Sequence, residues 1–296
     1  MNRKDYVLLA LEWFVNPDHL PIFAAKEKGF FEEQGIDIST VVPTTAEESL
    51  KLVGLDKADF GVGEQSNLIL NRSKGLPLIS VGPLLEHTVV VFMYLENSGI
   101  SKVKDLKGKR IGWPGIDIDV PFIEAVTEHE GLKKEDYTLV SVGFHLTDAL
   151  LSKEVDAVFG AFQNFEKVEA ELKGASIGLF QIPEYGVPDM YQLIFFTNEK
   201  KAKENPDLCK RFMSAIKKGM EVTIKNPEEA LKSYYRLNPG LESELSKKTF
   251  EATLPFFARS MTQSKERWMS VQDFLYERGV IEKKTAIEGL FTNQFV

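Results

Sequence analysis

From Tyr6 to Phe196 the chain alternates short β-branched and aromatic runs with segments of helical periodicity. Few architectures accept that pattern: it implies βαβ units around mostly parallel sheets, an α/β fold. The runs that read as strands are Tyr6–Leu11, Ile36–Val42, Asp59–Val62, Leu78–Val81, Val89–Leu95, Arg110–Trp113, Thr138–Gly143, Ala157–Phe159, Ile177–Gln181 and Met190–Phe196. The spacing between them predicts helices over Leu20–Gln34, Ala46–Leu55, Leu68–Lys74, Asp119–Glu130, Thr147–Leu151 and Phe165–Leu172. Gly82-Pro83 closes the fourth run. After Thr197 the strand signal stops and a helical tail is predicted, with Pro206 and Pro227 in first turns behind Asn205 and Asn226 as N-caps.

Val89–Leu95 and Met190–Phe196 match in length and character, and read as two β crossings between two α/β lobes. The predicted division is residues 1–95 plus 196–296 for lobe I and 96–195 for lobe II. A ligand cleft is expected between them, because domain interfaces favour ligands and hinge closure is a known use of such an arrangement.

Composition narrows the partner. The net charge of −8 argues against nucleic acid or an anionic membrane face, which need a basic footprint. No apolar run approaches the ~20 residues that span a bilayer. The lone Cys209 excludes an internal disulfide and reads as a small buried apolar residue. Four scattered histidines without ligand spacing predict no metal site. Met1-Asn2-Arg3-Lys4-Asp5 has no signal-like apolar core, so an extracytoplasmic location is expected with a leader outside this sequence. A cytoplasmic chain is the alternative, and a monomer is expected.

Several motifs carry a resemblance. Leu11-Glu12-Trp13-Phe14-Val15-Asn16-Pro17-Asp18-His19, Lys28-Gly29-Phe30-Phe31, Ala58-Asp59-Phe60-Gly61-Val62, Asp105-Leu106-Lys107-Gly108-Lys109 and Leu290-Phe291-Thr292-Asn293-Gln294-Phe295 span nearly the whole chain. Together they resemble the NMT1/THI5-like family. The resemblance implies the type II periplasmic-binding-protein fold and one of two activities. One is the solute-binding component of an ABC importer for thiamine-pyrimidine precursors, with a membrane permease as partner. The other is a pyrimidine synthase that consumes bound pyridoxal phosphate and its own histidine in the presence of iron. The synthase pattern implies a lysine where this chain has Gly63, a histidine where it has Asn67, and a cysteine cluster that it lacks. Its phosphate loop corresponds to Gly115-Ile116-Asp117-Ile118-Asp119, where two acids at a helix head repel a phosphate. The resemblance therefore favours the importer branch, a binding function without cofactor or covalent chemistry. The same fold holding another solute, such as riboflavin, is the further alternative.

An aminopyrimidine needs aromatic faces to stack on and partners for its polar edge. Strand ends supply candidates. In the first lobe these are Trp13 as an aromatic wall, Asn16 and His19 as hydrogen-bonding groups, and Glu64 as acceptor for the ligand amine. Asp18 reads as a helix N-cap, and Thr44 and Thr45 as caps that could also line the cleft floor. In the second lobe they are Trp113 as the other wall, Asp117 toward a cationic ligand, Phe162 for stacking, Asn164 as edge reader, and Tyr185 as a clamp. Glu12, Glu64, Asp117 and Asp119 disfavour anionic solutes.

Overall fold

Two five-stranded sheets organise the chain in the computed structural model, which describes residues 4–42, 44 and 48–296. The chain divides into one unit of Met1–His87 with Met190–Val296 and another of Thr88–Asp189.

The first unit begins with β1 (Asp5–Ala10), α1 (Leu20–Glu27), α2 (Phe30–Glu33), β2 (Ile36–Val41) and α3 (Glu48–Gly54). It continues with β3 (Phe60–Gly63), α4 (Gln65–Ser73) and β4 (Leu78–Leu85). The second unit holds β5 (Val90–Leu95), β6 (Arg110–Trp113), α5 (Asp119–His129), β7 (Thr138–Ser141), α6 (Leu146–Leu151), β8 (Ala157–Phe162), α7 (Glu166–Leu172) and β9 (Ile177–Gln181). The chain then returns to the first unit with β10 (Leu193–Asn198), α8 (Glu199–Glu204), α9 (Pro206–Lys225), α10 (Pro227–Leu237), α11 (Glu244–Thr253) and α12 (Lys265–Glu277).

In the first unit the strand order is β2-β1-β3-β10-β4, with β1 parallel to β2 and β3, and β10 antiparallel to β3 and β4. In the second it is β7-β6-β8-β5-β9, with β5 antiparallel to both neighbours. These pairings move the predicted boundaries. The run Val89–Leu95 pairs with β8 and β9, so it lies within the second unit. The run Met190–Phe196 pairs with β3 and β4, so it belongs to the first. Each crossing thus falls before its strand, at His87/Thr88 and Asp189/Met190.

Local departures have local causes. The predicted helix Leu20–Gln34 breaks at Gly29, whose φ of +76° ends α1 and starts α2. β4 runs on through Gly82-Pro83, because it is an edge strand and its register with β10 shifts beside Pro83. Asn205 and Asn226 occupy the cap positions of α9 and α10 but make no side-chain cap bond. Thr44 donates its backbone N–H and its hydroxyl to the Glu48 carboxylate; Thr45 lies outside the described residues.

The first unit's core forms where α9 crosses the sheet. Phe212 stacks on Phe60 at 3.9 Å between centroids and packs against Phe31. Cys209 on the same helix is fully buried, and burial pushes its thiol up to about 12, as an inert packing residue requires. Gly219 lets α9 approach α1: a Cβ there would lie 2.2 Å from the Pro21 carbonyl oxygen and 2.7 Å from the Ala25 Cβ. Gly219→Ala is therefore expected to destabilise the chain by about 1–3 kcal/mol in urea denaturation, with the slope unchanged.

Candidate functional site

The topology of the first sheet brings three chain segments to one end. β1 and β3 are parallel neighbours, with Leu9 opposite Phe60 and Ala10 opposite Gly61. The residues that follow each strand, Glu12 and Glu64, therefore emerge on the same side. β10 runs the other way, with Ile194 opposite Gly63, so the residues before it arrive there too. Strand carboxyl ends are where open α/β sheets take ligands.

Glu64 stands at the head of α4 but does not cap it. Its Oε2 accepts from Asn67 Nδ2 at 2.7 Å, and its Oε1 accepts from Gln192 Nε2 at 2.9 Å. Burial, with the nearby Glu12 charge adding to it, pushes the Glu64 carboxyl up to about 7; the two amide donors only partly offset this. Gln65 accepts the Tyr191 backbone N–H on its Oε1 at 2.9 Å. These bonds fix how each amide points, since a carboxylate can only accept and a backbone N–H can only donate. Two polar atoms are then left without a protein partner: Asn67 Oδ1 and Gln65 Nε2, on side chains that are 6% and 0% exposed. Buried polar atoms are rarely left so, and a bound ligand is one way to satisfy them.

Glu12 is held from the other side. His19 is fully buried and its Nε2 lies 2.9 Å from both Glu12 oxygens. Burial lowers the affinity of His19 for a proton, but the Glu12 charge and hydrogen bond, with Asp18, raise its pKa above the ordinary value. His19 is therefore engaged with Glu12 and buried away from solvent, not available to a ligand as the sequence suggested. Asn16 is likewise occupied: its Oδ1 accepts the Asp18 N–H, its Nδ2 donates to the Phe14 carbonyl, and its backbone N–H donates to His19 Nδ1. The cap of the turn Pro17–His19 is thus Asn16 and not Asp18. Asp18 is buried instead, accepting from the Thr253 hydroxyl at 2.9 Å. Trp13 remains partly exposed in this loop, with the Phe14 ring 6.0 Å away. Gln65, Asn67 and Gln192 are members that the sequence did not put forward as binding residues; the first two sit in the helix head behind Glu64. The signal for Gln192 was a lone amide ahead of the apolar run Leu193–Phe196.

In the second unit, Trp113 and Phe162 end the adjacent parallel strands β6 and β8 and stay partly exposed. Asp117 is exposed in the loop before α5. Asn164, two residues past the end of β8, is fully buried. Glu166 accepts the Phe162 backbone N–H at 2.7 Å and so shapes that loop. The Tyr185 ring meets His129, at the last turn of α5, edge-on at 5.6 Å, and also packs on Phe180. Its segment leaves β9 at Gln181, whose strand neighbour Val91 pairs with Ala161 beside Phe162, and its ring is engaged with His129 and Phe180. Among the described residues, no group of three or more His, Cys, Asp or Glu side chains could hold a metal ion.

The fold is that of the type II periplasmic binding proteins. The alkanesulfonate-binding protein SsuA of Xanthomonas axonopodis superposes with a TM-score of 0.76 over 99% of this chain and all of its own, at 16% identity. The chain belongs to the NMT1/THI5-like family, whose model matches residues 16–230. Among its relatives are a Haemophilus influenzae putative thiamine biosynthesis protein and a Legionella pneumophila 4-amino-5-hydroxymethyl-2-methylpyrimidine phosphate synthase. The first is 30% identical over 96% of this chain and 91% of its own; the second is 31% identical over 99% and 93%.

The residues present do not fit pyridoxal phosphate, the cofactor that the synthase branch implies. Gly63 offers no amine at the lysine position, and a Cβ there would lie 3.0 Å from the Phe196 ring. Asn67 stands at the histidine position, engaged with Glu64. Asp117 and Asp119 stand at the corresponding phosphate loop.

Proposed function

We propose that this protein is the solute-binding component of an ABC importer. It takes a thiamine-pyrimidine precursor, an aminopyrimidine, without covalent chemistry and delivers it to a membrane permease from outside the cytoplasm. The observation that carries the reading is the Glu64 cluster: a carboxyl held by two amides, beside a buried acceptor and a buried donor that no protein group satisfies. That is a recognition surface for a small polar heterocycle. It contains no lysine for a Schiff base and no free histidine. The fold supports solute binding, and the relatives' names support a thiamine pyrimidine as the solute. Sulfonates and other anions fit poorly beside Glu12 and Glu64.

The test is calorimetric titration with 4-amino-5-hydroxymethyl-2-methylpyrimidine and its formylamino counterpart, for the parent chain and for Trp13→Ala. Saturable heat is expected for the parent. Trp13→Ala should weaken it by about tenfold, the worth of a good aromatic contact, with unfolding unchanged. Heat with another solute and none with any aminopyrimidine would end the reading. Trp113→Ala and Phe162→Ala test the second unit's strand ends in the same assay.

A further inference from the structure

The donors and acceptors around Glu64 define more than a pyrimidine ring. Asn67 Oδ1 is an acceptor with no donor, and its orientation is fixed because its Nδ2 is given to Glu64. It asks the ligand for an N–H. Glu64 accepts one donor on each oxygen from within the protein, which leaves each oxygen capacity toward a ligand. A ring nitrogen next to an exocyclic amine offers a lone pair beside an N–H. The N–H suits Asn67 Oδ1. The lone pair facing an ionised carboxylate would be repelled, so that contact needs a proton between them.

Resting on the aminopyrimidine reading above, we infer that the site recognises an amidine edge together with one proton. The complex holds that proton between Glu64 and the ligand ring nitrogen, while Asn67 Oδ1 accepts from the adjacent amine. Glu64 is then the specificity-determining residue, and it acts as an acid and not as a bare anion. The proton is given up by a buffer acid in solution, whose bond to it breaks as the Glu64 O–H or the ring N–H forms, and no bond between heavy atoms is made or broken. The groups that act on Glu64 fit this role. From α4 comes Asn67, and from the segment before β10 comes Gln192; both are neutral donors. From the loop after β1 comes the Glu12 charge, itself shared with His19, on which Asp18 also acts. A neighbouring anion and burial both favour the protonated carboxyl. The rule also separates solutes. A 4-oxo ring would set its carbonyl against Asn67 Oδ1, acceptor to acceptor, and its ring N–H would compete with the Glu64 proton.

Titration calorimetry in buffers of different ionisation enthalpy, at about pH 8, reads the proton directly. The parent chain is expected to take up about one proton per 4-amino-5-hydroxymethyl-2-methylpyrimidine bound. Glu64→Gln keeps a neutral donor and acceptor for the ligand once the Gln192 amide turns over to accept from the new Nε2, since a glutamine amide can also pair with an amine beside a ring nitrogen. It should bind within about tenfold of the parent and take up no proton. The 4-oxo analogue should bind the parent at least about 100-fold more weakly than the amine. That arm needs no variant and stands if Glu64→Gln fails to fold. Binding by the parent with no proton uptake, or equal affinity for the oxo and amino rings, would overturn the inference and leave the aminopyrimidine reading standing. No heat with any aminopyrimidine would overturn both.

Discussion

Glu64→Gln is expected to be more stable than the parent chain above pH 7, by about 1–2 kcal/mol: the removed ionisation penalty is about 3 kcal/mol, and the rearranged amide bond takes back about 1. The Glu64 carboxyl titrates near 7 in the folded chain against 4.5 for the free group. Between those values the folded state binds the extra proton. The stability that proton confers is complete below 4.5 and is lost as pH rises through 7. Glutamine does not titrate, so the difference between the two stability curves should be constant below about 4.5, change in favour of glutamine between 4.5 and 7, and level off above 7. Urea denaturation at a series of pH values measures this. Parallel curves would mean that Glu64 is not under the strain its surroundings imply. Glu64→Ala removes the hydrogen-bonding group altogether and leaves the Asn67 and Gln192 amides facing a gap. Its expected loss of ligand affinity is about 100-fold or more. A residue whose replacement by glutamine stabilises the fold, and whose removal abolishes binding, is kept for the ligand.

His19→Ala carries the largest expected loss of stability, about 3–5 kcal/mol. The ring is fully buried, and the Glu12 side chain it donates to is only 12% exposed. Alanine leaves a cavity, an acid without its donor, and a turn whose capping box has lost one side. The pH dependence has a definite sign. Burial opposes the second proton and taking it up on Nδ1 gives up the Asn16 N–H bond, but Glu12 and Asp18 hold the folded pKa above 6.5; His19 therefore contributes its charge-linked stability below 6.5 and loses it as pH rises through the raised value. The deficit of His19→Ala should therefore be larger at about pH 6 than at about pH 9. Denaturant midpoints at the two values decide this, and a deficit that grows with pH would mean that His19 is buried as the neutral ring.

The fold was legible because every strand has a β-branched or aromatic run and most helices have a clear period. Boundaries failed where context overrode the local signal. β4 passes through Gly82-Pro83 because an edge strand tolerates what a central one would not. The crossings were misplaced because β5 and β10 look alike, and only pairing tells which sheet each joins. In the first unit Trp13 and Glu64 were legible as aromatic or polar residues after strand ends, and in the second Trp113 and Phe162 were legible as aromatic residues at strand ends. Asn16 and His19 were legible as polar loop residues, but not as partners of each other and of Glu12. Gln192 reaches Glu64 across 128 residues of sequence, and Thr253 reaches Asp18 across 235. Such contacts follow from antiparallel pairing and from the tail's return to the sheet. No local pattern carries them.

The central claim is that this chain holds an aminopyrimidine and performs no synthase chemistry on itself. Native mass spectrometry tests it most directly, after incubation with 4-amino-5-hydroxymethyl-2-methylpyrimidine, pyridoxal phosphate and ferrous iron together. The account predicts one pyrimidine per chain, lost intact on activation, with the mass of the protein unchanged. A pyridoxal phosphate adduct, or a chain whose mass has fallen through loss of part of a histidine, would contradict it.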